Sequence, residues 1–332
     1  MLYDENLAKR FVKDCKLPIQ MVKEEYFFYY LNLYEEDYGS MTKYRELVKV
    51  IEERFDGDCQ KFLDEYYSVR DRLILTVTGS EAFKRFNNCD MTEYSVKNKP
   101  NITSNSIYNI NNVGKFYMSV DLKKANFQTL KNVDKDIVLG CDTYDEFVGK
   151  FTDLEYIKTS KYFREVVFGQ MNPKRHITAE KYFITKIYRK LIDILPYFSD
   201  CCVCLSNDEI IFEIPFLKFN DKLRCFTYRR DIERIAQSVG FEVSVEFFHL
   251  NVYILQYSKS NTEPRFFVKD YFATDGKFRL ISAPLPYHAI IYKLYKGLPL
   301  EETDYHFNHD GMDARLCEKY NIIDVSTWLK ES

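Results

Sequence analysis

The chain is poor in the residues that let a backbone turn freely or close tightly on a ligand, with 11 glycines and one tryptophan in 332 residues. It has no glycine-rich phosphate loop of the Walker type, no dinucleotide fingerprint, no nucleophile elbow and no zinc-protease helix. Each of those chemistries needs its own spacing, so the corresponding nucleotide hydrolases, dehydrogenases, serine hydrolases and metalloproteases are excluded on motif grounds. No apolar run approaches the roughly 18 residues that a membrane span requires. The first residues, MLYDENLAKRFVKD, mix charges of both signs and lack the apolar centre of a signal peptide. A soluble, cytoplasmic protein with no membrane partner is expected. Nine cysteines, an odd number without regular spacing, argue against a disulfide framework and for reduced thiols. The formal charge of −3 excludes a protein that coats nucleic acid over its whole surface, so any such contact must be local.

What the chain does have is aromatic side chains, 27 Tyr and 27 Phe, with abundant Asn, Lys and Ile. That bias fits an AT-rich genome, such as a phage or a low-GC bacterium, before it says anything about function. Residues 1–97 carry apolar and aromatic side chains at three- and four-residue spacing, with Lys/Glu pairs on the outer faces, and predict a helical N-terminal region. The Asn- and Ser-rich stretch 98–112 predicts a linker. Beyond it the period changes. GKFYMSVDL (114–122) predicts a strand, KKANFQTLKNV a short helix, and YDEFVGKFT another. Residues 156–192 predict a basic amphipathic helix broken near Gly169–Pro173. CCVCLSNDEIIFEIP (201–215) predicts two apolar strands joined by a turn at Ser206-Asn207-Asp208. LRCFTYR (223–229) and EVSVEFFHLNVYILQY (242–257) predict further strands, with a helix at 231–239 between them; mixed strands, a proline-rich turn and a polar tail follow. Helices first and a mixed region afterwards predict an α+β fold, divided at 1–97, 98–220 and 221–332.

Three features carry chemistry. Asp121 closes the first predicted strand, where a carboxylate can present itself as a metal ligand; the competing role is a helix N-cap. Asp208 and Glu209 sit at a turn between two strands apolar enough to be buried, where ordinary turn chemistry is the alternative. Neighbouring strand residues point to opposite faces, so only one of the two should face a site directly. Between Lys158 and Lys190, nine Lys/Arg stand against two Glu, a local excess of seven in an acidic protein. Lys158, Lys161 and Arg164 fall at three-residue spacing, so one helical face can hold phosphates, or simply be solvated.

Taken in order, these features resemble the palm and fingers of template-directed polymerases. SVDLKKANF (119–127) resembles the first palm motif of reverse transcriptases and related polymerases. KYFREVVFG (161–169) is similar to the fingers motif of family B DNA polymerases, a Lys followed seven residues later by an aromatic-Gly pair. LSNDEIIFE (205–213) resembles the third palm motif, a hairpin whose turn bears the second metal-binding carboxylate. The resemblance covers roughly residues 114–215. It implies a palm-like antiparallel sheet and two Mg²⁺ ions held by Asp121 and Asp208, with Glu209 beside them. It implies Lys161, assisted by Arg164, on the incoming nucleoside triphosphate, and Asn126 and Phe127 near its sugar. Asn126 stands where those families place an aromatic that screens the 2′-position, with Phe127 one residue late. Lys158, Lys174 and Arg175 are the candidates for contact with the DNA or RNA itself. The fingers motif departs from the family pattern at Glu165 and Val166, and the hairpin reads Ser-Asn-Asp-Glu in place of two aspartates. Residues 221–332 leave room for a thumb-like or accessory region, and the acidic net charge suits recruitment by a protein partner.

Cys201, Cys202 and Cys204 lack a matching pair for zinc and read as buried thiols. His306, His309, Asp304, Asp310 and Asp313 fall within ten residues, and polar loops contain these types routinely. The expectation is a small palm-type nucleotidyltransferase. The alternative is a non-catalytic viral nucleic-acid-binding or scaffold protein, in which the basic helix contacts phosphates and the acids only cap and turn.

Overall fold

A computed structural model of the chain describes residues 1–97, 100, 102, 107–217, 221–257, 264–272, 276–316 and 319–325. Residues 98, 99, 101 and 103–106 of the expected linker and the last residues of the polar tail lie outside them. The N-terminal region is built of α1 (Glu5–Asp14), α2 (Glu24–Leu33), α3 (Glu35–Tyr38), α4 (Ser40–Arg54), α5 (Cys59–Gly79) and α6 (Glu81–Asn88). The starts of α1, α5 and α6 are set by side chains that accept orphan backbone N–H groups: Asp4 from Leu7, Asp58 from Gln60 and Lys61, Ser80 from Phe83. The buried residues of α5, Phe62, Leu63, Tyr66, Val69, Leu73 and Val77, follow the three/four spacing of one helical face.

The chain then forms β1 (Phe116–Leu122), α7 (Ala125–Val133), α8 (Tyr144–Gly149), α9 (Glu155–Thr159), α10 (Lys161–Gly169) and α11 (Pro173–Ile194). The expected break in the basic helix falls between α10 and α11, where Asn172 is left-handed and Pro173 occupies the first helical turn. The hairpin β2 (Cys202–Leu205) and β3 (Glu209–Glu213) follows, then α12 (Lys222–Gln237) and β4 (Val243–Tyr257). The remainder is β5 (Arg265–Tyr271), β6 (Phe278–Ile281), α13 (His288–Lys296), the small hairpin β7 (His306–His309) and β8 (Met312–Arg315), and β9 (Tyr320–Asp324). The architecture is α+β.

The main sheet is antiparallel in the order β2-β3-β1-β4-β5-β6. Tyr253 and Ile254 pair with both β5 and β9, and Phe248 and His249 with both β1 and β5, so β1 and β9 lie along the same edge of β4. Up to β4 the chain runs strand, helices, strand, strand, helix, strand, in the spatial order 2-3-1-4. This is the split βαβ arrangement. Alternation gives each strand two characters. Met118, Val120 and Leu122, with Ile210, Phe212, Val243, Val245 and Phe247, face α11 and α12 and join Ile184, Ile187, Leu191, Ile232 and Ile235 in one core. Each such fully buried aliphatic contributes about 1.5–3 kcal/mol of transfer free energy. The other face carries Ser119, Asp121, Glu209 and Glu246.

One expectation is corrected. LRCFTYR is not a strand but the first half of α12, whose buried residues Cys225, Ile232, Ile235 and Ala236 lie on one helical side. β4, beyond residue 220, pairs with β1 in the same sheet as β3. One core joins α1–α6 to Phe127, Phe147, Phe163 and Phe168, and to Ala289 and Tyr292 of α13.

Candidate active site

The site begins with two backbone devices that converge at one end of β1. The first is the turn out of β1 into α7, the two residues Lys123 and Lys124, in which Lys124 takes the left-handed conformation at φ +49°. This sharp reversal leaves the Asp121 side chain standing at the strand end. The second is the β2–β3 turn. Ser206 N–H donates to the Glu209 carbonyl at 2.9 Å, and Glu209 N–H donates to Ser206 Oγ at 3.1 Å. Leu122 N–H donates to the Asp208 carbonyl at 2.9 Å, tying the turn to the end of β1. In the ladder Asp121 is directly opposite Glu209. Opposed antiparallel residues share a face, with Cβ atoms about 4.5–5.5 Å apart. Glu209 therefore faces the site with Asp121, and Asp208 approaches from the turn.

The electrostatics follow from this crowding. Asp121 reaches solvent at the strand end but is hemmed in by protein and by other acids. Desolvation, then the charges of Asp208 and Glu209, raise its pKa to about 7, with a smaller push from Glu246 and an opposing pull from Lys161. Among the described residues the Asp121 and Asp208 carboxylates accept no side-chain or backbone hydrogen bond and form no ion pair. Glu209 is held by Ser119, whose Oγ donates to Oε1 at 2.5 Å. Glu246 accepts from Tyr271 Oη at 3.2 Å and lies 3.9 Å from Lys269 Nζ. Lys269 is 4% exposed, with its ammonium 4.4 Å from the centre of the Phe248 ring. Burial lowers its pKa, against the pull of Glu209 and Glu246.

A fourth acid completes the cluster from behind. Glu180, on the buried side of α11, is 6% exposed and accepts one hydrogen bond, from Asn126 Nδ2 at 3.0 Å. Desolvation and the Asp208 charge raise its pKa to about 7, with the Asn126 bond acting the other way.

The other expected residues divide. Lys161 opens α10, behind the Ser160 cap, and its charge acts on Asp121; it makes no ion pair among the described residues. Arg164 lies over the Tyr144 ring at 5.8 Å. Asn126 is beside the acids, joined to Glu180. Phe127, in contrast, is 1% exposed and packs against Tyr144 and Phe147. One position after Asn126 on α7, it points into the aromatic core and not toward a sugar. Lys174 is exposed on the first turn of α11. Lys158 pairs with Glu155 at 3.7 Å. Arg175 donates to the Phe86 carbonyl at 2.9 Å and to the Cys89 carbonyl. Its guanidinium fastens α11 to the end of α6.

Ser119, Glu180, Glu246 and Lys269 were not singled out in the sequence. A period-two signal was present for two of them: SVD places Ser119 on the face of Asp121, and VSVEF places Glu246 on the polar side of its strand. Among the described residues no group of three or more His, Cys, Asp or Glu side chains is disposed to hold a metal ion. No helix among them is long and apolar enough to cross a membrane. Comparison of the chain with protein-family models, with curated proteins and with solved structures finds no match.

Proposed function

We propose that the chain is a small palm-type nucleotidyltransferase, of phage or viral kind, that adds nucleotides from nucleoside triphosphates to a DNA or RNA end. The observation that carries this reading is the convergence of Asp121, Asp208 and Glu209 at one end of a split βαβ sheet, with no ion pair to any of them among the described residues. Carboxylates pressed together without partners raise each other's proton affinity, and a divalent cation relieves that repulsion. Mg²⁺ takes oxygen ligands and commonly only one or two carboxylates, the rest coming from water and substrate phosphates. The residues fit that habit: Asp121 and Asp208 would hold the metal, with Glu209 beside them. Two Mg²⁺ ions, when bound, would supply charge for activating a 3′-hydroxyl and for the departing pyrophosphate.

The chain's own residues do the rest. Asp121 would hold the cation as the carboxylate, a form that costs little near neutral pH for a carboxyl whose pKa is raised to about 7. Ser119 holds Glu209 in place. Lys161 is free to meet the triphosphate of an incoming nucleotide, and Arg164 stands one helical turn away. Asn126, fixed by Glu180, borders the acids where a bulky ring would otherwise screen the sugar. A recruiting protein partner fits the acidic net charge.

The test is extension of a labelled primer–template with dNTPs or NTPs, in Mg²⁺ and in EDTA. Metal-dependent extension is expected, falling to background in Asp121→Asn with folding retained. Wild-type extension by that variant would overturn the reading. Binding of nucleic acid without extension on either template would favour the non-catalytic binding or scaffold protein.

A further inference from the structure

On the side of α11 away from the sheet lies a groove of about 730 Å³, walled by α11, by the segment Glu93–Lys97 and by Ser238 and Val239 after α12. Its α11 wall consists of Tyr182, Lys186, Arg189 and Lys190 with their neighbours, at the three/four spacing that lines one helical face. Lys97 adds a fourth cation from the opposite wall, against two acids, Glu93 and Asp193. The opposite wall is held in place: Arg189 donates to the Lys97 carbonyl. Lys97, Lys186 and Lys190 form no ion pair among the described residues, in a protein whose formal charge is −3. A surface helix normally offsets such charges with i,i+4 acids, as Lys9 and Glu5 do on α1.

We infer that this groove binds the sugar–phosphate backbone of a single-stranded nucleic acid. Unneutralised lysines in a concave channel are what a phosphodiester chain needs, and cations interleaved with an aromatic ring mark single strands over duplexes. Tyr182 supplies the ring, lining the groove and braced edge-on by Tyr94 at 5.6 Å between centroids. A duplex hides its base faces and would leave that ring unused. The groove is separate from the carboxylates but linked to them by one rigid element. Glu180 and Lys190 are ten residues apart on α11, about 15 Å, or about four nucleotides of a stacked strand. The inference rests on the proposed function only for the choice of nucleic acid as the polyanion.

The experiment is fluorescence anisotropy of a labelled 20-nucleotide single strand with the full chain, between 50 and 200 mM salt. Lys186→Ala/Lys190→Ala, two exposed positions, is expected to fold as wild type by circular dichroism. It should bind at least about tenfold more weakly at 50 mM salt. The slope of log affinity against log salt should shrink by about 1.4, since each phosphate contact on a single strand contributes about 0.7. Tyr182→Ala should weaken binding with the slope unchanged. Asp121→Asn should bind as wild type, so loss of extension there and loss of binding in the lysine variant report on different parts of the molecule. Unchanged affinity and slope in the lysine variant would overturn the inference. So would absence of binding by wild type at 50 mM salt, or equal competition by polyglutamate, which would make an acidic peptide the ligand.

Discussion

Two regions of the molecule gather buried lysine with carboxylates, and they treat them in opposite ways. Where α13 meets α2, Lys293 is 3% exposed and Asp304 1% exposed. The Lys293 ammonium lies 2.9 Å from Asp304 Oδ2, 2.9 Å from Glu301 Oε1 and 2.6 Å from the Tyr29 hydroxyl. Asp304 also accepts from Tyr29 Oη at 2.8 Å and from Glu301 N–H at 2.7 Å. Every donor has an acceptor, and the buried Asp304 carboxylate has a cation directly against it. At the end of β1, Asp121 feels the charges of Asp208 and Glu209, and Glu180 that of Asp208, while the buried lysine of that region, Lys269, stands off at 3.9 Å from Glu246. The first arrangement is closed and holds helices together. The second is left short of positive charge, a cost to folding that a bound proton or a cation relieves. A matched network reads as structure, and an unmatched one reads as a site.

The contrast can be broken experimentally, since the two regions should respond to charge removal with opposite signs. The largest effect is expected at the closed network. Lys293→Met strands Asp304 in the interior and should lower unfolding stability by about 3–5 kcal/mol, read from urea denaturation; an unchanged midpoint would show that the pair is not a staple. Glu180→Gln should move the other way. The folded pKa of Glu180 is about 7, above its ordinary 4.5. Between those values the folded state holds more protons than the unfolded one, so wild-type stability falls as pH rises through that window. The glutamine variant cannot ionise. It should match wild type near pH 4 and exceed it by about 3 kcal/mol at pH 8. A gap that is the same at both pH values would assign its effect to packing.

The smallest stability effect is expected at Asp121, which carries the same sign of shift. Solvent screening at its exposed end should reduce the gain for Asp121→Asn at pH 8 to about 1 kcal/mol. This variant sharpens the comparison through the metal. Added Mg²⁺ should raise the thermal midpoint of wild type at pH 8 and leave that of Asp121→Asn where it was. Equal shifts in the two proteins would place the cation elsewhere.

The parts of the site that were legible are those written in short stretches of chain. Asp121 after an apolar strand, and Asp208-Glu209 between two apolar strands, are local patterns, and the register that sets Asp121 opposite Glu209 follows once the hairpin is placed beside β1. Glu180 was visible only as one of two acids in a basic run, because its burial comes from α11 lying on the sheet, a tertiary fact. Lys269 and Glu246 meet through strand pairing across 23 residues of sequence. The misreading of α12 has a definite cause. Leu223, Cys225 and Thr227 alternate as strand residues do, yet Leu223 and Phe226 are 79% and 61% exposed. The apolar signal in that segment was a surface one, and the three/four pattern of Cys225, Ile232, Ile235 and Ala236 governs the fold. α13 was missed behind the proline-rich turn, although AIIYKLYKG carries the helical period and a C-terminal glycine, left-handed at φ +69°.

β4 is 15 residues long, and different lengths of it pair with β1, β5 and β9. Removal of residues 258–332 would strip β5 and β9 from it together. The bared strand would offer Leu250, Val252 and Leu255, all fully buried in the intact chain, along two rows of unsatisfied N–H and C=O groups. Such a fragment is a template for self-association. The last 75 residues therefore cover both edges of β4, and without them the strand is expected to pair with further copies of itself.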